Sequence, residues 1–159
     1  MRDCLLNVFT VYAPHSGKPD KEKERFCYKV FHFVSCIPQN EMVVFAGDMN
    51  GHIGSSNVGY DGTHGGFGCG SRNADGSRIL EFADGQNLVM CNTLFTMQEA
   101  KLVTYVAGLV KSTVDYTMVR QEDKAKICNV KVITSEECVP KHKLFVMDMW
   151  FKAIKRRRR

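Results

Sequence analysis

A short unbroken apolar run, Met42 to Ala46, most restricts the folds open to this chain. Five consecutive apolar residues bounded by turn signals favour a buried strand. The run ends at Gly47-Asp48-Met49-Asn50, and Gly, Asp and Asn are residues that favour turns. A buried strand needs partner strands and a covering layer, so the surrounding patterns decide the fold class.

Those patterns predict the order β-α-β-loop-α-β-β-β-β-β, which is typical of an α/β (α+β) protein with a mixed sheet. Leu5 to Tyr12 predicts a strand buried on both faces, and Asp20 predicts the N-cap of a helix that Pro38 stops. The apolar face expected on that helix consists of Phe26, Val30, Phe33, Val34 and Ile37.

Glycine marks the middle of the chain, because residues 51–76 hold nine of the thirteen glycines. This segment predicts a long loop, which either approaches a substrate backbone or is a mobile insertion. The remaining expected elements are a helix Ser77 to Ala83, a strand Leu88 to Cys91, a hairpin of Leu102 to Val106 with Thr113 to Val119 around Gly108, and strands Ile127 to Thr134 and Lys143 to Met149.

Length and charge exclude several classes of protein. The 159 residues suit one domain, and no apolar run is long enough for a transmembrane helix. The N-terminus lacks the pattern of a signal peptide, so none is expected. Six of the 22 basic residues lie in the last eight positions, which leaves residues 1–151 with 16 basic and 17 acidic side chains, a net charge of −1.

The basic tail has three readings: a solvated tail, a nuclear targeting signal or a nucleic-acid contact. Its cluster comprises Lys155, Arg156, Arg157, Arg158 and Arg159. The seven cysteines include no C-x-x-C pair, which argues against a zinc finger and predicts reduced core thiols of an intracellular protein, with a nuclear location left open.

Polar residues stand at the ends of the predicted strands. Asp48 and Asn50 follow a buried strand, Asp115 falls inside the strand Thr113 to Tyr116, His142 precedes an apolar strand, and Tyr12 ends the first strand. A carboxylate inside a strand needs a partner, and a histidine can supply it. Singly these residues favour a turn, a bulge, a surface histidine and a core tyrosine. His15, His32, His52 and His64 are expected to have ordinary surface or structural roles.

The ordered set of motifs is more specific than any one of them. It resembles the endonuclease/exonuclease/phosphatase superfamily, and within it the apurinic-endonuclease-like domain of RTE-class LINE retrotransposons, over residues 5 to about 150. The segments that carry the resemblance are Val11-Tyr12-Ala13-Pro14, Val44 to Gly51, Leu80 to Ala83 with Asn92 to Phe95, Thr113-Val114-Asp115-Tyr116 and Cys138 to Leu144.

The resemblance implies a partial four-layer αββα sandwich that lacks the N-terminal part of its first sheet. It implies a truncated domain over residues 1–150 and a basic tail over residues 151–159. The implied activity is DNA phosphodiester hydrolysis with Mg²⁺, or alternatively Mn²⁺, with DNA as the partner and no membrane partner.

The resemblance also assigns roles to five residues. Asp48 would orient or deprotonate the attacking water, and Asn50 would hold that water or the phosphate oxygens. Asp115 would hydrogen-bond His142, which would contact the scissile phosphate, and Tyr12 would lie near it. Asp48 and Asn50 are the expected metal ligands.

Two departures from the family pattern predict weak metal binding and a chain that is weakly active or inactive alone. The family's metal-binding Glu belongs to a segment before the Tyr-x-Pro strand, and Met1 lies eleven residues before Tyr12. Lys141 stands where most members have an Asp. Two other functions stay open: a non-catalytic nucleic-acid-binding module that uses Lys155 to Arg159, and a non-functional fragment or interaction domain.

Overall fold

The computed structural model describes residues 5–151, apart from the side chain of Cys138. The elements are β1 (Leu6–Tyr12), α1 (Asp20–Ser35), β2 (Met42–Asp48), α2 (Ala74–Gly85), β3 (Leu88–Met90), β4 (Tyr105–Ala107), β5 (Val110–Ser112), β6 (Asp115–Arg120), β7 (Ile127–Val139) and β8 (His142–Met149). Three 3₁₀ turns, Cys91–Thr93, Glu99–Lys101 and Gln121–Lys126, connect them.

The strands form two four-stranded sheets. The first has the order β1-β2-β6-β3 and the second the order β5-β4-β8-β7. β1 runs parallel to β2, whereas β6 is antiparallel to β2 and β3. In this register Asp48 lies between Tyr12 on one strand and Asp115 on the other. Three of the predicted site residues therefore meet where these strands end, at one end of the first sheet.

Two apolar clusters hold the layers together. On one face of the first sheet, Phe45 and Met118 pack against Leu80 of α2 and Val34 of α1. On the other face, Val44, Val89 and Val119 pack against Ile127 and Val130 of the second sheet. The described residues therefore form helix, sheet and sheet layers in that order, and the predicted α/β (α+β) fold class is confirmed.

β1 is not buried on both faces, so that prediction is wrong. Phe9 and Val11 pack against the core, but Leu6 and Val8 are 46% and 60% exposed. The reason is the position of β1 at the edge of its sheet, where β2 is its partner among the described strands. An apolar edge strand of this kind is a surface prone to pairing with another chain.

The helix boundaries also differ from the prediction. Pro19, not Asp20, occupies the N-cap of α1, and the Asp20 carboxylate instead accepts a hydrogen bond from Arg78 at 2.9 Å. Phe33, expected in the core, is exposed. α2 begins three residues earlier than predicted, because the Asn73 side chain caps it by accepting from the Gly76 N–H at 2.8 Å.

The predicted hairpin around Gly108 joins the wrong strands. β4 pairs with the short strand β5, whereas Thr113 to Val119 contributes to β6, which pairs with β2 in the first sheet. Local pattern identified the turn, since Gly108 has a φ of 59°. It could not show that the chain changes sheets at Thr113, because that depends on long-range pairing. β7 also extends to Val139, and β8 begins at His142.

The thiols differ from the expected core set. Cys91 is buried, but Cys36 and Cys128 are exposed and Cys27 and Cys69 are half-buried, all five being free. Residues 152–159, which carry the basic tail, lie outside the described residues. Within residues 5–151, no helix has the length and apolar character to cross a bilayer.

His64 is a structural histidine of the glycine-rich segment. It is fully buried, its Nδ1 accepts from the Gly66 N–H at 3.0 Å, and its Nε2 lies 3.0 Å from the Gly54 carbonyl oxygen. Together these bonds require the neutral ring with its proton on Nε2. Burial lowers the pKa of His64 below its ordinary value.

We expect His64 to make stability fall in mild acid. The unfolded chain takes up the proton near a pKa of about 6.5, above the folded pKa, so the contribution is complete above that pH and is lost as the pH falls through the folded pKa. Urea unfolding at pH 7.5 and 5.5 measures the change. His64→Gln should reduce the difference in unfolding free energy between the two pH values, and His32→Gln should not. The same difference in the unchanged chain and in both variants would contradict the role of His64.

Candidate active site

Three side chains from the two sheets meet at one end of the molecule. His142 Nδ1 lies 2.9 Å from Asp115 Oδ2, and His142 Nε2 lies 3.9 Å from Asp48 Oδ2. All three side chains are half-buried, with 12% to 20% of each exposed. The imidazole therefore lies between two carboxylates, hydrogen-bonded to Asp115 and too far from Asp48 for a direct hydrogen bond.

Each of these residues occupies the end of a strand. Asp48 ends β2, Asp115 begins β6 and His142 begins β8. Asp115 is thus at the first position of its strand, and the prediction that placed it inside the strand is wrong. Its position at the end of β6 leaves the carboxylate partly in water, and the His142 ring is the partner that the sequence predicted.

The environment of Asp48 favours a carboxyl group that is less acidic than usual. Burial raises its pKa, and the nearby Asp115 charge raises it further. The Asn50 N–H donates to Oδ1 at 2.9 Å and, with His142, acts in the opposite direction. The two Asp48 oxygens therefore have different neighbours, since Oδ1 faces a backbone donor and Oδ2 faces the histidine.

Asn50 and Tyr12 both lie next to Asp48, Asn50 in the turn after β2 and Tyr12 at the end of β1. Asn50 has a φ of 49° and its side-chain amide donates to the Ala13 carbonyl at 2.8 Å, which ties the turn after β2 to the end of β1. Tyr12 lies opposite Asp48 in the strand register and is 72% exposed. Tyr12 is consequently a surface residue at the site and not a core residue.

Thr104 and Tyr105 are two residues at this site that sequence reasoning did not single out. The buried Thr104 hydroxyl accepts from the Val114 and Asp115 N–H groups, each at 3.1 Å. Its carbonyl accepts from the Lys143 N–H at 2.8 Å. Thr104 thus links the backbone beside both members of the Asp115–His142 pair, across the junction of the two sheets.

Tyr105 pairs with His142 in the register of β4 and β8, and the two rings meet edge to face with centroids 5.0 Å apart. This contact limits rotation of the imidazole. A Thr-Tyr pair in an apolar segment is an ordinary strand pattern, so no signal in the sequence distinguishes either residue from core.

Asn92 and Tyr116 are buried side chains that bond to the backbone next to the site. The buried Asn92 amide donates to the Asp115 carbonyl at 3.0 Å and accepts from the Thr117 N–H at 2.9 Å. The buried Tyr116 hydroxyl lies 2.8 Å from the Gly51 carbonyl oxygen. Both side chains therefore hold the backbone that carries the site.

The donor set is one that can hold a metal ion. One ligand atom from each of Asp48, Asp115 and His142 lies within 4.8 Å of the others. Lys141 lies in the turn before His142, has a φ of 72° and is exposed. It places a cation, and no metal ligand, beside the histidine.

The chain shares its fold with solved proteins of the endonuclease/exonuclease/phosphatase class, and the fold that its motifs predicted is confirmed. NExo, a 3′ phosphatase from Neisseria solved with a product DNA hairpin, has a TM-score of 0.66 at 13% identity, over 91% of this chain and 61% of that one. The endonuclease domain of TRAS1, a telomere-specific non-LTR retrotransposon, has a TM-score of 0.58 at 16% identity, over 89% and 57%. The catalytic domain of Xenopus laevis APE2 has a TM-score of 0.62 at 17% identity, over 92% and 52%.

Sequence similarity extends to craniofacial development protein 2. The chain is 31% identical to the protein from Bos taurus over 143 residues and 29% identical to that from Tragulus javanicus. These alignments cover 89% of this chain and about a quarter of each relative. No family model matches the sequence.

Proposed function

We propose that the chain is a LINE-derived DNA endonuclease domain that hydrolyses phosphodiesters with a divalent metal. The observation that carries the proposal is the Asp115–His142–Asp48 series. These three side chains, of kinds that act in catalysis, meet at one end of the two packed sheets. The motif set and the fold it shares with NExo and TRAS1 support a nucleic-acid substrate.

Asp48 and His142 divide the work of hydrolysis between them. Asp48 orients the attacking water through its carboxylate, which lies at the end of β2 and faces His142. Asp115 fixes the tautomer and orientation of the His142 ring, which then donates to the phosphate and stabilises its developing charge. Asn50 holds the Asp48 turn in place, and Tyr12 presents its phenol beside the same edge.

Mg²⁺, or Mn²⁺ in its place, would be held by the Asp48 carboxylate and the Asn50 amide and would offset the phosphate charge. These oxygen donors are of the type that Mg²⁺ prefers. They are few, since Asp115 is bonded to His142 and Lys141 contributes a positive charge. We therefore expect weak binding of the metal and weak activity of the chain alone.

Nicking of supercoiled plasmid by the purified chain tests the proposal. We expect slow nicking that needs Mg²⁺ and stops with EDTA. His142→Ala and Asp48→Ala should each slow it by about 100-fold or more, because each removes a group that touches the water or the phosphate.

Asp61→Asn is the matched control, since Asp61 is an exposed carboxylate of the glycine-rich segment and lies outside the three-residue cluster. Its nicking rate should equal that of the unchanged chain. Nicking at an unchanged rate in His142→Ala, or no nicking from a folded chain at any metal concentration, would overturn the proposal.

The second candidate function is nucleic-acid binding without catalysis, and the charge distribution favours it. Lys155, Arg156, Arg157, Arg158 and Arg159 follow Trp150 and Phe151, which are exposed at the end of β8. β8 places that end about 23 Å from His142 by its strand rise. Salt-sensitive DNA binding that is lost on deletion of residues 155–159, with no nicking, would identify this function and a tail that acts as a remote anchor.

A further inference from the structure

Among the described strands, β1, β3, β5 and β7 lie at the edges of the two sheets, and β1 differs from the other three. β3 is a buried strand of three residues that His64 contacts, and β5 has three residues and carries Lys111. β7 carries Lys131 and Glu137, and its pairing with β8 has register shifts. Short length, charge and bulges keep an edge from pairing with another chain. β1 has seven uncharged residues in regular register, so it has none of these protections.

Alternate residues of β1 direct their backbone groups away from β2. The Leu5 carbonyl accepts from the Met42 N–H, and the Ala13 N–H donates to the Asp48 carbonyl, each at 2.8 Å. Since successive residues of a strand face opposite sides, the odd-numbered residues bond to β2. The even-numbered residues direct their N–H and C=O groups to the open edge, where none of the described strands lies: Leu6, Val8, Thr10 and Tyr12.

An exposed aromatic side chain of α1, Phe33, lies above the same edge. Asp20 and Lys23 of α1 bond to Arg78 and Asp75 of α2, so that side of α1 faces α2. α2 packs on β3, at the far edge of the first sheet. Helix residues are about 100° apart around the axis, which places Phe33 on the side of α1 that faces away from α2 and therefore toward the open edge of β1.

We propose that the open edge of β1 is a dimer interface and that its occupant is a second copy of this chain, paired antiparallel about a two-fold axis. Even-numbered residues must then face even-numbered residues, because these carry the outward backbone groups. The register centred on Phe9 uses the whole strand. It places Val8 of each copy opposite Thr10 of the other, and Leu6 opposite Tyr12. The joined sheet has eight strands, four from each copy.

A second copy fits this edge because β1 is complementary to itself. Its seven residues carry no charge that would oppose the same residues of a copy. The exposed side chains of Leu6 and Val8 are covered on one face of the joined sheet. On the other face, the two-fold axis brings Phe9 beside its own copy and the two Phe33 side chains to the same edge. Such an interface is closed, since each copy uses its one open edge.

Analytical ultracentrifugation of the full chain over a range of concentrations tests the proposal. A single strand pair is at the small end of stable interfaces, which bury about 800 Å² of each partner, so we expect a dimer that dissociates on dilution. Val8→Lys should weaken the dimer by about 100-fold or more, because it buries an unpaired charge at the centre of the edge. Phe33→Glu should weaken it from the helical face.

A second substitution tests the register. Because Val8 faces Thr10 of the other copy, the double variant Val8→Lys/Thr10→Glu forms two cross-strand ion pairs and should recover most of the dimer that Val8→Lys loses. A double variant that dimerises no better than Val8→Lys would overturn this register.

Val110→Lys is the matched control, since Val110 is 60% exposed, as Val8 is, and lies on the edge strand β5 of the other sheet. It should leave the dimer unchanged. Far-UV circular dichroism verifies that each variant is folded, and Phe33→Glu decides the matter if Val8→Lys does not fold.

The proposal is overturned by a chain that stays monomeric at every concentration, by a dimer that survives both Val8→Lys and Phe33→Glu, or by an open-ended assembly in place of a dimer. The measurement uses neither DNA nor metal. A chain that dimerises through β1 and never nicks DNA would refute the endonuclease alone, and a monomer that nicks DNA would refute the dimer alone.

Discussion

Gly76→Ala is expected to lower the free energy of unfolding by about 2–4 kcal/mol, although the residue lies in a helix where alanine is normally preferred. A Cβ at Gly76 would overlap the carbonyl oxygen of His52, a backbone atom that cannot move aside independently. The overlap must push α2 away from the turn that follows Asp48 and Asn50. Urea unfolding measures the effect.

Gly85→Ala is the matched control in the same helix. A Cβ at Gly85 meets nothing within 4 Å, so alanine there should be neutral or stabilise by about 0.5–1 kcal/mol. If the two substitutions change the free energy of unfolding in opposite directions, the close approach of α2 to the turn after β2, and not helix propensity, decides the result. Equal stability of both variants would contradict the packing at Gly76.

This contact also explains why α2 was predicted too short. The sequence placed Gly76 in a loop because glycine disfavours helices. In the fold, Asn73 caps the helix and its Oδ1 accepts from both the Gly76 and His52 N–H groups. The glycine is required by a neighbour 24 positions earlier in the chain, and a local pattern contains no information about that neighbour.

The sequence also predicted that several polar residues would lie close together, and the structure brings Asp48, Asp115 and His142 to one place. Asp48, Asn50 and His142 stand out because polar groups directly beside apolar runs need a reason, and strand ends are where such groups can reach water. Asp115 stands out for the same reason, and the histidine partner that its position predicts is His142. The motif order then placed all of these in one known class of fold.

Residues whose importance depends on pairing escaped prediction. Thr104 matters because its hydroxyl and carbonyl bond to segments 10 and 39 positions away, which are brought together only when the two sheets pack. The exposure of Leu6 and Val8 likewise follows from the edge position of β1. Strand order, and not composition, decides both.

Asp115→Asn is expected to reduce kcat for nicking by about 100-fold or more and to change KM much less. An amide at this position is neutral and can present either its oxygen or its NH₂ group to Nδ1, so the ring loses the charged partner that fixes its tautomer and supports its positive form. Single-turnover nicking over a range of DNA concentrations separates the two constants. Asp61→Asn should change neither.

A double-mutant cycle distinguishes a working pair from two independent residues. If Asp115 acts through His142, the double variant Asp115→Asn/His142→Gln should nick no more slowly than the slower single variant. Additive losses would mean that Asp115 has a role of its own, such as direct metal binding through the three-residue cluster. The 2.9 Å bond between Asp115 Oδ2 and His142 Nδ1 favours the first outcome, because it couples the two side chains directly.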